Sequence, residues 1–189
     1  VIVVSDGSTD RTVQHAREAG ADLVHDLPKR AGKGAALAHG LAHTDAPIVF
    51  FSDADLTGFT AEHIKAIVSP VLEGKLAMNV GLRDRGWLWT NMARILPLVG
   101  GERALRREVF ENIPDRLRGG FKAEIAMNAY CRVNRLPYGY VVMRGIGIVR
   151  KMQKVGVWRG MMEYGKMWLT VGRAIIEVRL ARRLPRRKP

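Results

Sequence analysis

The 189-residue sequence contains a single cysteine, Cys131, which excludes an internal disulfide framework and agrees with a reducing compartment. No segment reaches the ~20 apolar residues that a membrane-spanning helix needs, because Lys166, Arg173 and Glu177 interrupt the most apolar C-terminal part. The N-terminus lacks the ordered charged, apolar and small-residue regions of a secretory signal. These absences predict a cytoplasmic protein.

Several common catalytic motifs are also missing. The sequence has no G-x-x-x-x-G-K-[ST] run and no G-x-G-x-x-G run, which argues against P-loop kinases and dinucleotide-dependent dehydrogenases. The histidines do not pair with Cys or Glu at structural-zinc or H-E-x-x-H spacing. We therefore interpret all of them as surface or helix-face residues: His15, His25, His39, His43 and His63.

The net charge of +13 is concentrated at one end of the chain. Residues 150–189 hold twelve Lys and Arg against two Glu, a surplus of ten. Such a segment can bind nucleic-acid phosphates or anionic lipid, or simply be solvated. No base-reading motif is present, so we expect no specific nucleic acid. Trp158, Met161, Trp168 and Ile175 lie near one helical stripe among basic residues, which predicts a basic amphipathic helical tail over 151–189. Two interpretations of this stripe stay open: packing against the parent domain, and contact with a membrane surface.

The rest of the chain alternates short apolar runs with helical patterns. This pattern is typical of an α/β fold whose mainly parallel sheet is covered by helices on both faces, and it predicts one domain over residues 1–150. Strands are predicted at 1–4, 23–24, 48–51, 76–80 and 138–143. Helices are predicted at 12–19, 34–43, 60–72, 87–98, 105–112 and 123–134.

Two acidic loops follow predicted strands. Asp6 ends the first strand, and Asp53 and Asp55 follow the strand at 48–51. Ligands of such sheets bind beyond the carboxyl ends of strands, so we expect both loops in one crevice. Two carboxylates there can hold a divalent cation that bridges to a diphosphate. Turn and cap residues are the alternative interpretation of the same acids.

Two further loops fit an anionic ligand. The run 6–10 (DGSTD) combines a flexible Gly with helix-capping side chains, and the Asp6 carboxylate can accept hydrogen bonds from a nucleotide base. Gly32, Lys33 and Gly34 bring a flexible backbone and an ammonium to a helix N-terminus, where a diphosphate can bind.

The order of these motifs resembles a known family. Residues 1–12 (VIVVSDGSTDRT), 30–37 (RAGKGAAL) and 48–56 (IVFFSDADL) resemble the nucleotide-binding half of family 2 glycosyltransferases with the GT-A fold. The resemblance implies a three-layer α/β/α sandwich, and within the family we expect a polyprenyl-phosphate hexosyltransferase or dolichol-phosphate mannosyltransferase-like member. The sequence starts at the family's second strand, so we expect the first strand to be missing. Ser5 stands where the family commonly has Asp.

The resemblance assigns roles to the residues of these motifs. Asp6 binds the base, with Ser8 and Asp10 in the same nucleotide-sugar-binding loop. Lys33 approaches the diphosphate. Asp53 faces the ribose or phosphate side and, with Asp55, holds Mg²⁺ or Mn²⁺; Asp55 is also expected to be catalytic.

Later matches to the family are weaker. Residues 100–107 (GGERALRR) resemble the loop that carries acceptor-side groups, so Arg103, Arg106 and Arg107 are candidate acceptor or diphosphate contacts. Residues 120–124 (GFKAE) resemble the family's acidic helix start, and Glu124 is the candidate catalytic or acceptor-orienting carboxylate, with a structural salt bridge as its alternative. Arg150 and Lys151 stand where some relatives place a metal-binding His. They are candidates to neutralise the departing diphosphate or an acceptor phosphate, with a surface role as the alternative.

The sequence thus predicts an inverting, metal-dependent transfer of a hexosyl unit from a UDP- or GDP-sugar. The basic, Trp- and Met-containing tail favours a polyprenyl phosphate acceptor and peripheral contact with an anionic membrane at the cytoplasmic face. Two alternatives stay open: a non-catalytic or degenerate relative whose tail binds lipid or nucleic acid, and a nucleotidyltransferase with a related core.

Overall fold

The computed structural model describes residues 1–84, 100–119, 121–148 and 176. The strands are β1 (Ile2–Asp6), β2 (Leu23–Leu27), β3 (Ile48–Phe51), β4 (Leu56–Thr57), β5 (Met78–Arg83), β6 (Arg103–Arg106), β7 (Tyr138–Met143) and β8 (Gly147–Ile148). The helices are α1 (Thr12–Glu18), α2 (Lys33–Leu41), α3 (Ala61–Leu72), α4 (Arg107–Glu111) and α5 (Phe121–Val133), with a 3₁₀ turn at Asp115–Leu117.

A four-stranded sheet in the order β3-β6-β5-β7 forms the centre of the fold. β5 and β7 are parallel, whereas β6 is antiparallel to both of its neighbours, so β3, β5 and β7 point the same way. β1 and β2 form a separate parallel pair, and β4 pairs antiparallel with β8. The carboxyl ends of β3, β5 and β7 therefore lie at one edge of the central sheet.

Ala104 and Leu105, successive residues of β6, belong to different apolar layers, as the period of a strand requires. Met78, Val80 and Leu82 pack in the cluster that contains Ala126, Met127 and Tyr130 of α5. The second cluster, on the other side of the sheet, contains Ile67 and Val71 of α3 with Ala104 of β6. Helices thus cover both faces of the sheet, as an α/β/α sandwich predicts.

Most predicted elements are present. The strands predicted at 48–51 and 138–143 match β3 and β7, and the helix predicted from the Thr60 cap matches α3. The prediction of a helix at 105–112 was wrong at its start, because residues 103–106 form β6 between β3 and β5. The helix predicted at 87–98 and the tail at 151–189 lie outside the described residues. Within the described part, none of the helices combines the length and apolarity required to cross a bilayer.

A buried amide compensates for a proline inside α3. Pro70 has no backbone N–H, so the carbonyl of Ala66, four residues earlier, lacks its helical donor. The Nδ2 group of Asn79, which is 2% exposed, donates to Ala66 O at 3.3 Å and to Ile67 O at 3.0 Å. Asn79 thereby joins β5 to α3 at the point where the helix is weakest.

We expect Asn79→Ala to lower the free energy of unfolding by about 1–3 kcal/mol, because it leaves a buried carbonyl without a donor. In a Pro70→Ala background the residue 70 N–H returns, so the same substitution should cost less. Urea unfolding of the wild type, both single variants and the double variant measures this coupling. Strictly additive effects would contradict the compensation.

Candidate functional site

Lys33 brings three parts of the chain together. It is the first residue of α2, and its Nζ lies 2.7 Å from Asp53 Oδ1 and 3.4 Å from Glu124 Oε1. Asp53 follows β3, and Glu124 lies in the first turn of α5. The structure thus unites three of the predicted site residues around one ammonium group, at the edge of the sheet where β3 ends.

The charges around Lys33 favour its protonated form. Burial opposes the ammonium ion, but the hydrogen bond to Asp53 and the nearby Glu124 and Asp53 carboxylates together raise the pKa of Lys33 above its ordinary value. Its side chain is still 35% exposed. Lys33 is therefore a charged group that a ligand in the crevice can reach.

Glu124 lies against a second cation, Arg103, and is itself almost completely buried. Its Oε2 is 3.8 Å from Arg103 Nη2, and Arg103 Nη1 donates to the Glu124 carbonyl at 3.4 Å. Arg103 is 1% exposed and also donates through Nε and Nη2 to Gly100 O, at 3.0 and 2.7 Å. Burial lowers the pKa of this guanidinium, and the Glu124 carboxylate opposes that effect. Arg103 therefore positions Glu124 and the Gly100 loop instead of projecting toward an acceptor.

Asp6 connects the end of β1 to the loop before α2. Its Oδ1 accepts from the Ala31 N–H at 2.7 Å, and its Oδ2 accepts from the Gly32 N–H at 2.9 Å. Gly7 permits this approach: its φ is +67°, and an added Cβ would lie 3.0 Å from the Arg30 nitrogen. Because Lys33 follows directly, Asp6 helps to fix the start of α2.

The loop between β1 and α1 is ordered by its own polar side chains. The Ser8 N–H donates to Ser5 Oγ at 3.4 Å. Asp10 Oδ1 accepts from the Thr12 N–H at 3.1 Å and also from the Thr12 hydroxyl. Ser8 and Asp10 thus lie on the same loop as Asp6, as predicted, and Asp10 orders the start of α1.

Asp53 and Asp55 present carboxylates of different exposure. Asp53 packs on Gly101, where an added Cβ would lie 2.2 Å from Asp53 Oδ2, so a side chain at this position would displace the Asp53 carboxylate. The Asp55 side chain is exposed. In the described part of the chain, no ion pair or hydrogen bond engages it. Two carboxylate donors on one short turn, one of them unpaired, fit a hard cation such as Mg²⁺ or Mn²⁺.

Arg106 and Arg107 lie away from this crevice. Arg106 pairs in register with Ile48, the first residue of β3, whereas Asp53 follows the last. Arg106 Nη2 donates to Gly74 O at 3.4 Å. Arg107 donates to the carbonyl of Leu41, the last residue of α2, and to that of Thr44 beyond it, and forms an ion pair with Glu111. Arg106 and Arg107, both predicted to contact the acceptor, thus lie at the edge of the sheet where β3 begins, because β6 runs antiparallel to β3. Arg150 and Lys151 lie outside the described residues.

Glu102 lies beside these charged residues, although its sequence motif had not pointed to it. It is completely buried, and neither carboxylate oxygen has a hydrogen-bond partner among the described residues. Desolvation raises the pKa of Glu102 above its ordinary value. The Glu102 backbone N–H lowers this pKa, the Asp53 charge raises it, and Arg83 and Lys33 lower it. A buried, unpaired carboxylate beside charged groups is typical of functional sites. Burial depends on packing, so the sequence carried no signal for it.

Arg83 is the second residue that the sequence did not indicate. The strand predicted at 76–80 extends to Arg83, which places this half-buried arginine at the carboxyl end of β5. Its charge acts on Glu102, so it lies at the same edge as Asp53. The crevice therefore has an arginine besides Lys33 with which to contact an anionic ligand.

The family of the chain follows from its sequence and fold together. Residues 1–121 match the model of glycosyl transferase family 2, and the chain belongs to this family. The predicted GT-A fold is confirmed by the solved structures that resemble it.

Two named relatives are similar to this chain in sequence. Glucosyl-3-phosphoglycerate synthase of Mycolicibacterium paratuberculosis is 30% identical over 162 residues, which are 67% of this chain and 49% of the relative. The Mycobacterium tuberculosis enzyme is 38% identical over 81 residues, which are 40% of this chain and 25% of the relative. This chain spans about half the length of the former relative.

The crystal structures come from the same M. tuberculosis enzyme. Its complex with Mn²⁺, UDP-glucose and phosphoglyceric acid has a TM-score of 0.71 and 25% identity, covering 94% of this chain and 67% of that one. Its complex with Mg²⁺ and UDP has a TM-score of 0.72, with the same identity and coverage.

Replacing Glu102 should reveal the cost of burying its charge. The native state keeps the Glu102 proton to higher pH than the unfolded chain, so stability is lost as pH rises from 4.5 through the folded pKa. We expect Glu102→Gln to raise the free energy of unfolding at neutral pH by about 1–3 kcal/mol, with the gain vanishing below the ordinary pKa.

Urea unfolding across this pH range, in EDTA, measures the difference between variant and wild type. Glu18→Gln, an exposed substitution on α1, is the matched control and should leave stability unchanged. A gain that did not depend on pH would show that the Glu102 charge is not its cause.

Proposed function

We propose that this chain transfers a glucosyl unit from UDP-glucose, with Mg²⁺ or Mn²⁺, to the hydroxyl group of a small phosphorylated acid of the 3-phosphoglycerate type. One observation carries the proposal: Lys33, Asp53 and Glu124 meet beside the exposed Asp55 within a family 2 fold. The glucosyl-3-phosphoglycerate synthases support the choice of donor and acceptor.

Asp53 and Asp55 are the proposed ligands of the metal ion. Mg²⁺ and Mn²⁺ prefer oxygen ligands and are commonly bound by one or two carboxylates together with substrate phosphates. When bound, the ion neutralises the charge that develops on the departing diphosphate. Gly101 lets the Asp53 carboxylate pack directly on the backbone, and the ion pair with Lys33 orients its Oδ1.

Lys33 is the proposed second cation for the diphosphate. In the structure its ammonium group is bonded to Asp53, so both charges are compensated without ligand. A diphosphate that enters beside Asp53 meets an ammonium that is already charged and oriented. Asp6 stays the proposed contact for the base, because its oxygens, although bonded to two backbone N–H groups, retain lone pairs for a further donor.

Glu124 is the proposed acceptor-orienting carboxylate. A hydroxyl acceptor needs a base to remove its proton, whereas a phosphate acceptor does not. The side chain of Glu124 is 7% exposed, and its Oε1 contacts Lys33, which a ligand in the crevice can reach. This role agrees with a hydroxyl acceptor, and the ion pairs of Glu124 with Lys33 and Arg103 would fix its position.

Arg83 is the proposed partner of the acceptor's negative groups. It lies at the carboxyl end of β5, at the edge of the sheet that contains Asp53. Guanidinium groups bind phosphate and carboxylate in a bidentate way, which suits a small acid with both. A polyprenyl phosphate and a membrane-bound tail stay predictions from the sequence, and no relative named above supports them.

We expect UDP-glucose to bind with measurable heat only when Mn²⁺ is present, and more tightly than GDP-mannose. Asp55→Ala should weaken the metal-dependent affinity for UDP-glucose tenfold or more, about 1.4 kcal/mol, because it removes an unpaired oxygen ligand. Isothermal titration calorimetry of the 189-residue chain measures both effects.

Asp45→Ala is the matched control, since Asp45 is an exposed acid before β3, at the opposite end of this strand from Asp55. It should bind UDP-glucose as the wild type does. Absence of binding with Mn²⁺, or equal binding by Asp55→Ala, would overturn the proposed donor site.

We expect mass spectrometry to detect glucosylated 3-phosphoglycerate when the chain is incubated with UDP-glucose, Mn²⁺ and 3-phosphoglycerate. Arg83→Ala should raise the KM for 3-phosphoglycerate about tenfold or more, because it removes a charged hydrogen-bond donor, and should leave the affinity for UDP-glucose unchanged. Arg106→Ala, at the opposite edge, should change neither quantity.

Transfer to a polyprenyl phosphate in detergent, with none to 3-phosphoglycerate, would contradict the proposed acceptor and favour the prediction from the sequence. An equal effect of Arg106→Ala would contradict the role of Arg83. The predicted inversion at the anomeric carbon stays a prediction, and the NMR coupling constant of the product's anomeric proton checks it.

A further inference from the structure

Three of the five histidines form a cluster outside the proposed donor site. His25 lies on β2, His39 on α2, and His43 two residues beyond the end of α2. Their ring centroids are 4.8 Å apart for His25 and His39, 4.0 Å for His25 and His43, and 4.6 Å for His39 and His43. One nitrogen from each ring lies within 4.8 Å of the others. The tertiary structure thus gathers residues that the sequence spacing had not linked.

Two ring nitrogens of this cluster lack the hydrogen-bond partners that buried imidazole nitrogens normally have. His25 Nε2 and His39 Nε2 are both buried, and neither has a hydrogen-bond partner among the described residues. Buried polar atoms are rarely left without one, because the loss of water is then uncompensated. Packing of the three rings alone therefore does not explain why two ring nitrogens are buried without a hydrogen-bond partner.

His43 is oriented by the backbone of α2. Its Nδ1 lies 2.8 Å from the His39 carbonyl oxygen, and because a carbonyl can only accept, Nδ1 carries the hydrogen. In the neutral ring Nε2 then keeps its lone pair. Metal-binding histidines commonly donate their second nitrogen to a carbonyl in this way, which fixes the tautomer and the ring orientation.

We propose that His25, His39 and His43 form a binding site for a divalent transition-metal ion that prefers imidazole ligands, and that this ion is Zn²⁺. Zinc binds imidazole nitrogens at about 2.0–2.1 Å, which puts tetrahedral ligands about 3.4 Å apart. Small rotations of the three side chains would bring their ring nitrogens, now within 4.8 Å of one another, to this distance. His43 is exposed, so a water molecule has access to the fourth position.

The site differs chemically and spatially from the Asp53 and Asp55 pair. Imidazole suits zinc, copper and nickel, whereas carboxylates suit magnesium and manganese. Lys33 begins α2 and His39 follows six residues later, about 9 Å along the helix. A metal ion here would join β2 to the C-terminal half of α2 and so hold the helix whose first residue enters the donor site.

The test is a zinc titration of the 189-residue chain, prepared without a histidine tag. Excess Mg²⁺ is present so that carboxylate sites are already occupied. We expect one Zn²⁺ per chain, with affinity at least tenfold lower in His43→Ala and in His25→Gln. His15→Ala, an exposed histidine on α1 outside the cluster, is the matched control and should bind as the wild type does. His43 is exposed, so its replacement does not endanger folding, and circular dichroism checks each variant before metal is added.

Co²⁺ substitution gives an independent readout, since tetrahedral coordination produces an intense visible absorption that His43→Ala should lose. Asp55→Ala should keep the zinc affinity, which separates this site from the donor site. Equal zinc binding by wild type and His43→Ala, loss of binding in Asp55→Ala, or no binding at all would overturn the proposal.

Discussion

The ion pair between Lys33 and Asp53 is the interaction on which the rest of the site depends. It joins the first residue of α2 to the turn that follows β3, and Glu124 of α5 shares the same ammonium. Without that cation, Asp53 and Glu124 would approach each other as like charges, with Glu102 buried nearby. The position of α2 is in turn set by Asp6, which binds the two backbone N–H groups just before Lys33.

The same crevice contains a third acid, Glu102, whose negative charge Lys33 does not fully compensate. Glu102 is buried without a hydrogen-bond partner in the described structure, and Asp53 makes its ionisation harder. Sites of this kind give up stability in the absence of ligand for the sake of binding.

α2 serves both of the proposed cation sites. Its first residue, Lys33, points to the carboxylates, and its last turn contributes His39 to the histidine cluster. The start of the helix is also packed closely, because an added Cβ on Gly34 would lie 1.4 Å from the Arg118 carbonyl oxygen. Neither end of the helix can shift without changing a contact to another part of the chain.

Local sequence was sufficient for many of the elements. The runs at 48–51 and 138–143 are apolar, β-branched or aromatic, and they form strands at the predicted residues. Thr60 caps α3, as its position before an apolar helical pattern predicted. β6 was missed, because Arg103–Arg106 has no strand pattern of its own and is held by pairing with β3 and β5.

By itself the sequence determined the α/β class and the order of the three nucleotide-binding motifs, because strand and helix periodicity and loop chemistry are short-range patterns. It proposed Asp6, Lys33 and Asp53 as residues of one site, and it proposed Glu124 through the resemblance to the family. Only the tertiary structure decided that Arg106 and Arg107 lie at the far edge, that Glu102 and Arg83 border the crevice, and that three histidines meet. Those outcomes depend on strand direction and on packing between distant segments, which no local pattern in the chain specifies.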